Sequence, residues 1–405
     1  MRSPISMIIA LLALLALLAT PLAAQRRVPK DLSGARGFDY MAASASNHTE
    51  HFIHYDPQET KRDLDDAARL HLNQVRVFMP MAAWQSDKEA FRKNIRDFMD
   101  AARAHGMGVM PTMQYGRGIA MNRDAWPQAK EFVADLIATI GKHPALVIWD
   151  VENEPDCCAL PPTEANRTRM AHAVYMAGLF HQLDPVTPVT IGVAFSDNMI
   201  ELGDAVDVLS FHNYLSTRAA IRADIQKAKA YAARVGKPLL NTEIGAPGRA
   251  NPYDIAIEEH MKAGVGWYIW ELMVAPNWGK VQGVFYPDGT VRDPAVAAAL
   301  LGVFRNRDPN ALLIVPDNEG RVTRAVEGSR AWLKRPDASW EEGLDLAEVS
   351  ANLLESNQLA ALIKPPTMRV EVLRRGKPDM AALRAILEEF TSELEPWRLP
   401  PSSRR

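Results

Sequence analysis

The sequence predicts an α/β fold: a (β/α)8 TIM barrel followed by a small, mostly helical C-terminal extension. Apolar runs of strand length recur eight times within residues 35–304, and helical periodicity separates most of them. Regular alternation over that length is typical of a closed parallel barrel. The alternative is an open doubly wound sheet, but no G-x-G-x-x-G turn follows the first run. The runs centre on Phe38, Val77, Val109, Ile148, Ile191, Leu209, Leu240 and Tyr268.

Amphipathic segments between these runs predict the helical layer of the barrel. In residues 89–105, for example, Phe91, Ile95 and Phe98 fall on one face and Gly106 ends the pattern. Further helices are predicted over residues 62–72, 126–140, 164–183, 217–235, 253–263 and 293–304.

The first 24 residues have the layout of a secretory signal peptide. Arg2 gives a positive start, residues 7–19 are uniformly apolar, and Ala23 and Ala24 supply a small-residue cleavage site. The apolar run is short for a bilayer span, although an uncleaved anchor is the alternative. We therefore expect a secreted or periplasmic protein with no membrane attachment after cleavage.

Residues 305–405 form the predicted helical extension. Helices are expected over residues 344–362 and over residues 380–394, where Asp379 is the N-cap, and residues 368–373 are a candidate strand. No chemistry is recognisable here, so the role of this region is unknown. An appendage packed on the barrel or a dimerisation element are the two interpretations.

Composition excludes several classes of function. The formal net charge of the 405 residues is −3 and no basic stripe alternates with aromatic residues, so nucleic acid is not an expected partner. The two cysteines, Cys157 and Cys158, are adjacent and cannot close a long loop. Because neighbouring residues fit disulfide geometry poorly, we expect both cysteines to be reduced.

Two predicted strands end in glutamate. The run at residues 146–151 leads into Asn153-Glu154-Pro155, and the run at residues 238–242 leads into Glu243. Active sites of (β/α)8 barrels lie where the strands end, and these two ends fall on opposite walls of one rim. Two carboxyl groups across a barrel mouth are the equipment for cleaving a glycosidic bond. Glu152 is a rival acid, because alternation lets it face inward as well.

Other polar residues on strands support a site at this rim. Arg76 lies inside an apolar strand, where burial requires a carboxylate partner such as Glu243; the alternative is an outward face paired with a helix acid. His212 and Tyr214 are two residues apart and face the same way, so both can orient the glutamates.

Aromatic residues near the strand ends suggest a sugar cleft, because indole rings stack on sugar faces. The eighth strand offers Trp267, Tyr268 and Trp270, and Trp84, Tyr115 and Trp278 lie in predicted loops near the rim; Trp126 is expected in the core. The cluster of His48, Glu50, His51 and His54 suggests a metal site as a minor alternative, which we disfavour because no H-x-H begins the first strand.

These motifs resemble the retaining glycoside hydrolases of clan A, most closely the cellulase/β-mannanase-like family 5. The resemblance implies that Glu154 is the acid/base, that Glu243 is the nucleophile, and that Asn153 contacts the sugar 2-hydroxyl. It also matches residues on the second, sixth and eighth strands, and it departs at Met113-Gln114-Tyr115, where the family has a histidine. The matching positions on those strands are Arg76, His212, Tyr214 and Trp270.

The sequence thus predicts a retaining glycoside hydrolase that acts on β-linked oligo- or polysaccharides by double displacement and needs no cofactor or metal. The alternatives are a non-hydrolytic carbohydrate-binding barrel, a transglycosylase and a metal-dependent barrel hydrolase. Glycan, linkage, endo or exo action and oligomeric state are left open by the sequence.

Overall fold

The computed structural model describes residues 26–157, 163–276, 280–304, 320–356 and 365–398. Eight parallel strands pair in sequence order and β8 closes on β1, so the predicted (β/α)8 barrel is confirmed. The predicted signal peptide, residues 1–24, lies outside the described residues. The strands are β1 (Arg36–Tyr40), β2 (Gln74–Pro80), β3 (Gly108–Gln114), β4 (Trp149–Asn153), β5 (Val189–Val193), β6 (Leu209–Asn213), β7 (Leu239–Ile244) and β8 (Gly266–Ile269).

Helices follow most strands of the barrel. Polar side chains cap the amino ends of these helices: Asp87 accepts a hydrogen bond from the backbone N–H of Ala90, and Thr217 accepts one from that of Ala220. Short 3₁₀ turns supplement them, one of which, Arg123–Gln128, replaces the first part of the helix predicted at Trp126. The helices are α1 (His48–Ile53), α2 (Pro57–Arg69), α3 (Met81–Ser86), α4 (Lys88–Ala104), α5 (Arg117–Ala120), α6 (Ala129–Ile140), α7 (Glu164–Leu183), α8 (Met199–Leu202), α9 (Arg218–Val235), α10 (Tyr253–Ala263) and α11 (Pro294–Leu300).

The apolar core of the barrel has two parts. The larger part lies between strands and helices, where side chains such as Phe98 and Phe180 are fully buried. A smaller cluster includes Met110, Ile148 and Leu240, which sit at or near the amino ends of their strands. Apolar residues therefore fill the amino-terminal end of the barrel, and polar side chains are concentrated at the carboxyl ends.

The chain divides into two compact units, residues 1–305 and residues 306–405. The second unit has its own apolar core, in which Val326, Trp332, Leu387 and Phe390 are buried. Within the described ranges, none of the helices combines the length and apolar content that crossing a bilayer requires. The helices of the second unit are α12 (Arg321–Leu333), α13 (Trp340–Ser356), α14 (Pro366–Arg375) and α15 (Met380–Leu394).

One element of the second unit corrects the sequence interpretation. Residues 368–373, predicted as a strand, belong to helix α14. The alternating apolar residues fit a strand, but Pro366 stands in the first helical turn, where its fixed φ favours a helix start. Only Val370 of the three alternating positions is buried; Met368 and Val372 are exposed.

Candidate active site

A fully buried arginine organises the carboxyl end of the barrel. Arg76 on β2 donates from Nη1 to Asp39 and to Glu243, each at 2.7 Å, and from Nε to Asp150 at 2.9 Å. Its Nη2 donates to Asn153 at 2.6 Å. Burial disfavours the charge, but the three carboxylates outweigh burial and raise the pKa of Arg76. The arginine therefore faces the barrel interior, and the alternative of an outward ion pair is excluded.

The structure brings Glu154 and Glu243 to the same place on the rim. One carboxylate oxygen of each glutamate and one ring nitrogen of His212 all lie within 4.8 Å of one another. Glu154 follows β4 with φ of 45°, a left-handed conformation that turns the chain sharply at the end of the strand. Glu243 is nearly buried on β7, whereas Glu154 is half-buried and faces an open cavity.

Irregular pairing aims both glutamates inward. On β4, Asp150 pairs with Thr190 but Asn153 pairs with Gly192, so β4 carries one extra residue. Strand β7 carries one as well, because consecutive residues of β6 pair with Asn241 and Glu243. Such a bulge changes which side chains face the interior.

The β4 bulge also corrects the interpretation of Glu152. Its carboxylate accepts from Nδ1 of His172 on α7 at 2.8 Å, so it points to the helical layer instead of the rim. Simple alternation allowed an inward orientation because it assumes an uninterrupted strand. Glu152 is therefore not in position to act on a ligand held by Glu154 and Glu243.

His212 bridges the two glutamates. Its Nδ1 lies 2.7 Å from Glu154 Oε1 and 3.3 Å from Glu243 Oε2, and its Nε2 contacts the Thr242 hydroxyl at 3.1 Å. Burial opposes a charged ring, but the adjacent carboxylates, Glu243 first, raise the pKa of His212. Burial alone raises the pKa of Glu154, and the hydrogen bond and charge of His212 reverse this, so the net effect is a lowered pKa.

Tyr214 holds the second oxygen of Glu243. Its hydroxyl donates to Oε2 at 2.6 Å, and Oε1 accepts from Arg76. Burial, followed by the charge of Glu243, raises the pKa of Tyr214 well above its ordinary value, so the phenol stays a donor. Both oxygens of Glu243 are thus fixed by donors from β2 and from the end of β6.

Trp270 lies at the end of β8, on the arc of the rim where β8, β1 and β2 are neighbours. Its ring packs edge-on against Phe78 with centroids 6.1 Å apart, and His48 stacks on Phe78 with centroids 4.2 Å apart. The Trp270–Glu271 peptide bond is cis. Trp270 is partly exposed.

Other aromatic candidates are not on the rim surface. Trp84 is buried between helices and its indole donates to Asp135 at 2.6 Å, and Tyr115 is buried against His172. Trp126 is buried, as expected for a core residue. Trp278 lies outside the described residues.

Three carboxyl groups of the site were missed by the sequence interpretation. Asp39 and Asp150 bind Arg76, and each stands within an apolar strand, which is the signal that identified Arg76 itself. Glu271 follows Trp270 and is buried, and in the described part of the chain its Oε1 has no hydrogen-bond partner. Burial, with a contribution from Glu243, raises the pKa of Glu271 to about 8.

The metal alternative is not favoured by the geometry. Among the described residues, the group with suitable spacing for an ion is Glu154, His212 and Glu243, and there the guanidinium of Arg76 already contacts Glu243. The first-loop histidines and Glu50 do not form such a group within those residues. His48 instead stacks on Phe78, and burial lowers its pKa to about 3.

A cavity of about 500 Å³ opens beside Glu154. Its walls come from the loops after β4, β5, β6 and β7, on the arc away from Trp270. Cys157 lines it and is disulfide-bonded, which corrects the expectation of a reduced thiol; Cys158 lies outside the described residues. Other lining residues are Phe195, Asp197, Asn213, Leu215, Asp224, Lys227 and Arg249.

Comparison with known proteins gives structural neighbours only. No family model matches the chain, and no curated protein sequence matches it significantly. A GH5_18 protein from Streptomyces cattleya, solved in complex with Manβ1-4GlcNAc, is 17% identical with a TM-score of 0.55 and covers 68% of this chain and 82% of its own. The fold is thus shared with known glycoside hydrolases at low identity.

Two further neighbours agree on the fold. An exo-β-1,4-mannosidase from Opitutaceae bacterium strain TAV5 is 17% identical with a TM-score of 0.54; the match covers 69% of this chain and 61% of the mannosidase. A GH5_18 protein from Bifidobacterium longum subsp. longum, also in complex with Manβ1-4GlcNAc, is 14% identical with a TM-score of 0.54 and covers 66% and 77%. The matched share corresponds in size to the barrel.

Proposed function

We propose that the protein is an exported retaining β-glycosidase in which Glu243 is the nucleophile and Glu154 is the acid/base. The observation that carries the proposal is the distance between their carboxylate oxygens, which is at most 4.8 Å. Retaining enzymes place the two carboxyl groups about 5–5.5 Å apart, whereas inverting enzymes need roughly 6.5–9.5 Å to admit a water.

In the first step, Glu243 attacks the anomeric carbon and forms a glycosyl ester. Glu154 gives its proton to the leaving oxygen as the glycosidic bond breaks. In the second step, Glu154 takes a proton from water, the water oxygen bonds to the anomeric carbon, and the Glu243 ester is released.

The contacts around Glu243 suit a nucleophile. Donors from Arg76 and Tyr214 fix both of its oxygens and hold the carboxylate in one orientation. His212 sits between the two glutamates and contacts both carboxylates. Because a general acid must be protonated when substrate binds, we propose that the Glu154–His212 pair shares the proton that reaches the leaving oxygen.

The substrate class follows from the same site. Asn153, held by Arg76, would contact the sugar 2-hydroxyl, and Trp270 would stack on the sugar at the end of β8. The neighbours solved with Manβ1-4GlcNAc, and the exo-β-1,4-mannosidase, support a β-linked oligosaccharide as the substrate. Export through a signal peptide would bring the enzyme to extracellular or periplasmic glycans.

The proposal is tested with the full-length mature chain. Purified protein is incubated with a panel of β-linked polysaccharides and aryl β-glycosides, and the anomeric proton of the first product is followed by NMR. We expect release of the β-anomer. An α-anomer would show inversion and contradict the proposed mechanism.

Two variants separate the roles of the glutamates. Glu243→Gln should lose turnover by roughly 10³-fold or more on every substrate. Glu154→Gln should lose much more activity on sugar leaving groups than on 2,4-dinitrophenyl glycosides, which need no acid. Glu152→Gln is the matched control on the same strand, and it should retain activity. Wild-type rates in Glu243→Gln would refute the proposal.

The two alternatives have different readouts. A carbohydrate-binding barrel would bind a polysaccharide saturably without releasing reducing ends. A transglycosylase would transfer the sugar to an added saccharide acceptor faster than to water. Both are measured in the same assay by product analysis.

A further inference from the structure

The cavity beside Glu154 is lined by Arg249, which forms no ion pair with the described residues of the cavity wall. Arg249 lies in the loop after β7, and its guanidinium carbon is 4.4 Å from the centre of the Tyr214 ring. Among the described residues, no carboxylate comes within 4.0 Å of its guanidinium nitrogens. Its charge still reaches Glu154 and contributes to lowering the pKa of that carboxyl after burial and the effect of His212.

The two other basic side chains that line the cavity, His212 and Lys227, already contact carboxylates. Lys227 lies 2.9 Å from Asp197 and 3.3 Å from Asp224. Asp224 also accepts from the amide of Asn213 at 2.8 Å and from the hydroxyl of Ser196. The charged groups on the wall after β5 and β6 thus pair with one another. Among the described lining residues, this leaves Arg249 as the basic side chain without an ion pair.

The loop that carries Arg249 is fixed in place. Asn251, fully buried, accepts from the backbone of Gly245 at 2.6 Å and donates to the backbone oxygen of Leu215. Ala246 and Asn251 form an antiparallel bridge across the short 3₁₀ turn. Arg249 therefore stands at a defined position on the rim, where it is exposed and its guanidinium lies over the Tyr214 ring.

The position of Arg249 relative to the reacting groups defines which sugar it would meet. The cavity includes Glu154, which protonates the leaving oxygen in the proposed mechanism. It lies on the arc formed by the loops after β4 to β7. Trp270 lies on the other arc, near β1 and β2. A sugar in the cavity is consequently the one on the leaving-group side of the cleaved bond.

We propose that Arg249 binds an anionic substituent, a carboxylate or a sulfate ester, on the leaving-group sugar, so that the preferred substrate is an acidic β-linked glycan. The proposal rests on the assignment of Glu154 as acid/base. Guanidinium is the group best matched to such anions, because its N–H groups form paired hydrogen bonds with two oxygens. A neutral sugar in the same cavity would offer no anion to the N–H groups of Arg249, which would then be hydrated by water.

Binding is measured by calorimetry on the full-length mature chain carrying Glu243→Gln, which prevents turnover. The probes are β-1,4-linked disaccharides, in gluco and manno forms, whose reducing-end sugar is neutral, a uronate or a 6-sulfate. We expect the uronate or the sulfate to bind about tenfold or more tightly than the neutral disaccharide. The preferred acid identifies the source of the anion, and the preference should shrink in high salt.

Arg249→Gln, added to the same chain, should remove the preference, so that acidic and neutral disaccharides bind with similar affinity. The matched control is Arg234→Gln, because Arg234 also lies over a tyrosine ring, Tyr231, at 5.0 Å, but near the end of α9 away from the rim. Equal binding of acidic and neutral probes, no binding of the acidic probes, or an acidic preference that survives Arg249→Gln would overturn the inference.

The outcome is separable from that of the proposed function. Acidic binding that depends on Arg249, together with unchanged turnover in active chains bearing Glu154→Gln, would keep the anion site and reject the acid/base assignment. Cleavage with retention but no acidic preference would keep the glycosidase and reject the anion site.

Discussion

Asp39 and Glu243 accept hydrogen bonds from the same nitrogen atom, Nη1 of Arg76, each at 2.7 Å. One guanidinium thus serves two buried carboxyl groups from β1 and β7, while its Nε serves Asp150. The second oxygen of Asp39, Oδ2, has no hydrogen-bond partner in the described part of the chain. Asp39 and Glu243 therefore share one cation, and Asp39 has no second donor that would stabilise a negative charge on it.

Asp39→Asn should stabilise the protein more at high pH than at low pH. Burial raises the pKa of Asp39 well above its ordinary value. The charge of Arg76 opposes this effect, and the charge of Glu243 adds to it. An acid whose folded pKa exceeds its unfolded pKa contributes stability that is complete below about pH 4 and is lost as pH rises. Asparagine cannot ionise, so the variant avoids that loss.

The measurement is the difference in free energy of unfolding between Asp39→Asn and wild type, by urea denaturation at pH 4 and pH 8. We expect the difference to move in favour of the variant as pH rises. Asp288→Asn is the control, because hydrogen bonds from Thr290 lower the pKa of Asp288 and no such gain is expected. A difference independent of pH would show that Asp39 is charged in the folded protein.

Arg76→Met should be strongly destabilising. Removing the guanidinium leaves the buried carboxylates without their cation, and breaking one partner of a buried ion pair costs roughly 3–5 kcal/mol. Arg69→Met is the control, because Arg69 is mostly exposed in its pair with Asp66 and such pairs contribute about 1 kcal/mol or less. Equal losses of unfolding free energy in the two variants would contradict this account.

Much of the site could be predicted because charged side chains at strand ends are informative. Arg76, Glu154 and Glu243 interrupt or end apolar runs, and a charge in such a place requires a partner or a ligand. The parallel order of the strands then determines which ends are neighbours. Asp39 and Asp150 carry the same signal, and the pattern could have identified them too.

Local irregularities could not be predicted in the same way. The bulge on β4 that turns Glu152 toward His172 depends on the register with β5, which is set by packing and not by the residues of β4 alone. The sequence predicted that Trp84 lies in a loop near the rim. Its indole instead donates a hydrogen bond to Asp135 on α6, which is distant in the chain. The assignment of residues 368–373 failed because three alternating apolar residues fit both periods when the run is short.

Glu271→Gln should also stabilise the protein in alkaline solution. Burial, with the charge of Glu243, raises the pKa of Glu271 to about 8 from its model-compound value of 4.5. Stability that the protonated carboxyl contributes is complete below pH 4.5 and is lost as pH rises through about 8. The gain in free energy of unfolding that Glu271→Gln brings over wild type should therefore be small at pH 5 and on the order of 4 kcal/mol at pH 9.

Urea denaturation of Glu271→Gln and wild type across this range measures the effect. The charge of Glu243 can be removed as well with Glu243→Gln, which should reduce the difference because it lowers the pKa of Glu271. If Glu271→Gln were less stable than wild type at pH 9, the carboxyl would have to be ionised and paired in the folded state.

His212→Gln should move the alkaline limb of the pH profile of kcat/KM to lower pH. The ring contacts Glu154 at 2.7 Å, and the adjacent carboxylates raise the pKa of His212 against the effect of burial, so the pair keeps a proton at higher pH than a lone glutamate would. Glutamine can still donate to Glu154 but cannot hold that proton. The alkaline limb reports deprotonation of the general acid in the free enzyme, so its midpoint should move to lower pH. The value of kcat/KM at the new optimum pH should also fall, by roughly 10–10³-fold.

The profile is measured with an aryl β-glycoside that has a poor leaving group and again with 2,4-dinitrophenyl as the leaving group. Since the second substrate needs no proton, its profile should lack the alkaline limb in wild type and variant alike. His172→Gln is the control, because His172 contacts Glu152 on the helical side of β4 and is remote from the proton path. An alkaline limb that stays in place in His212→Gln would mean that Glu154 holds the proton by itself and that His212 only positions its carboxylate.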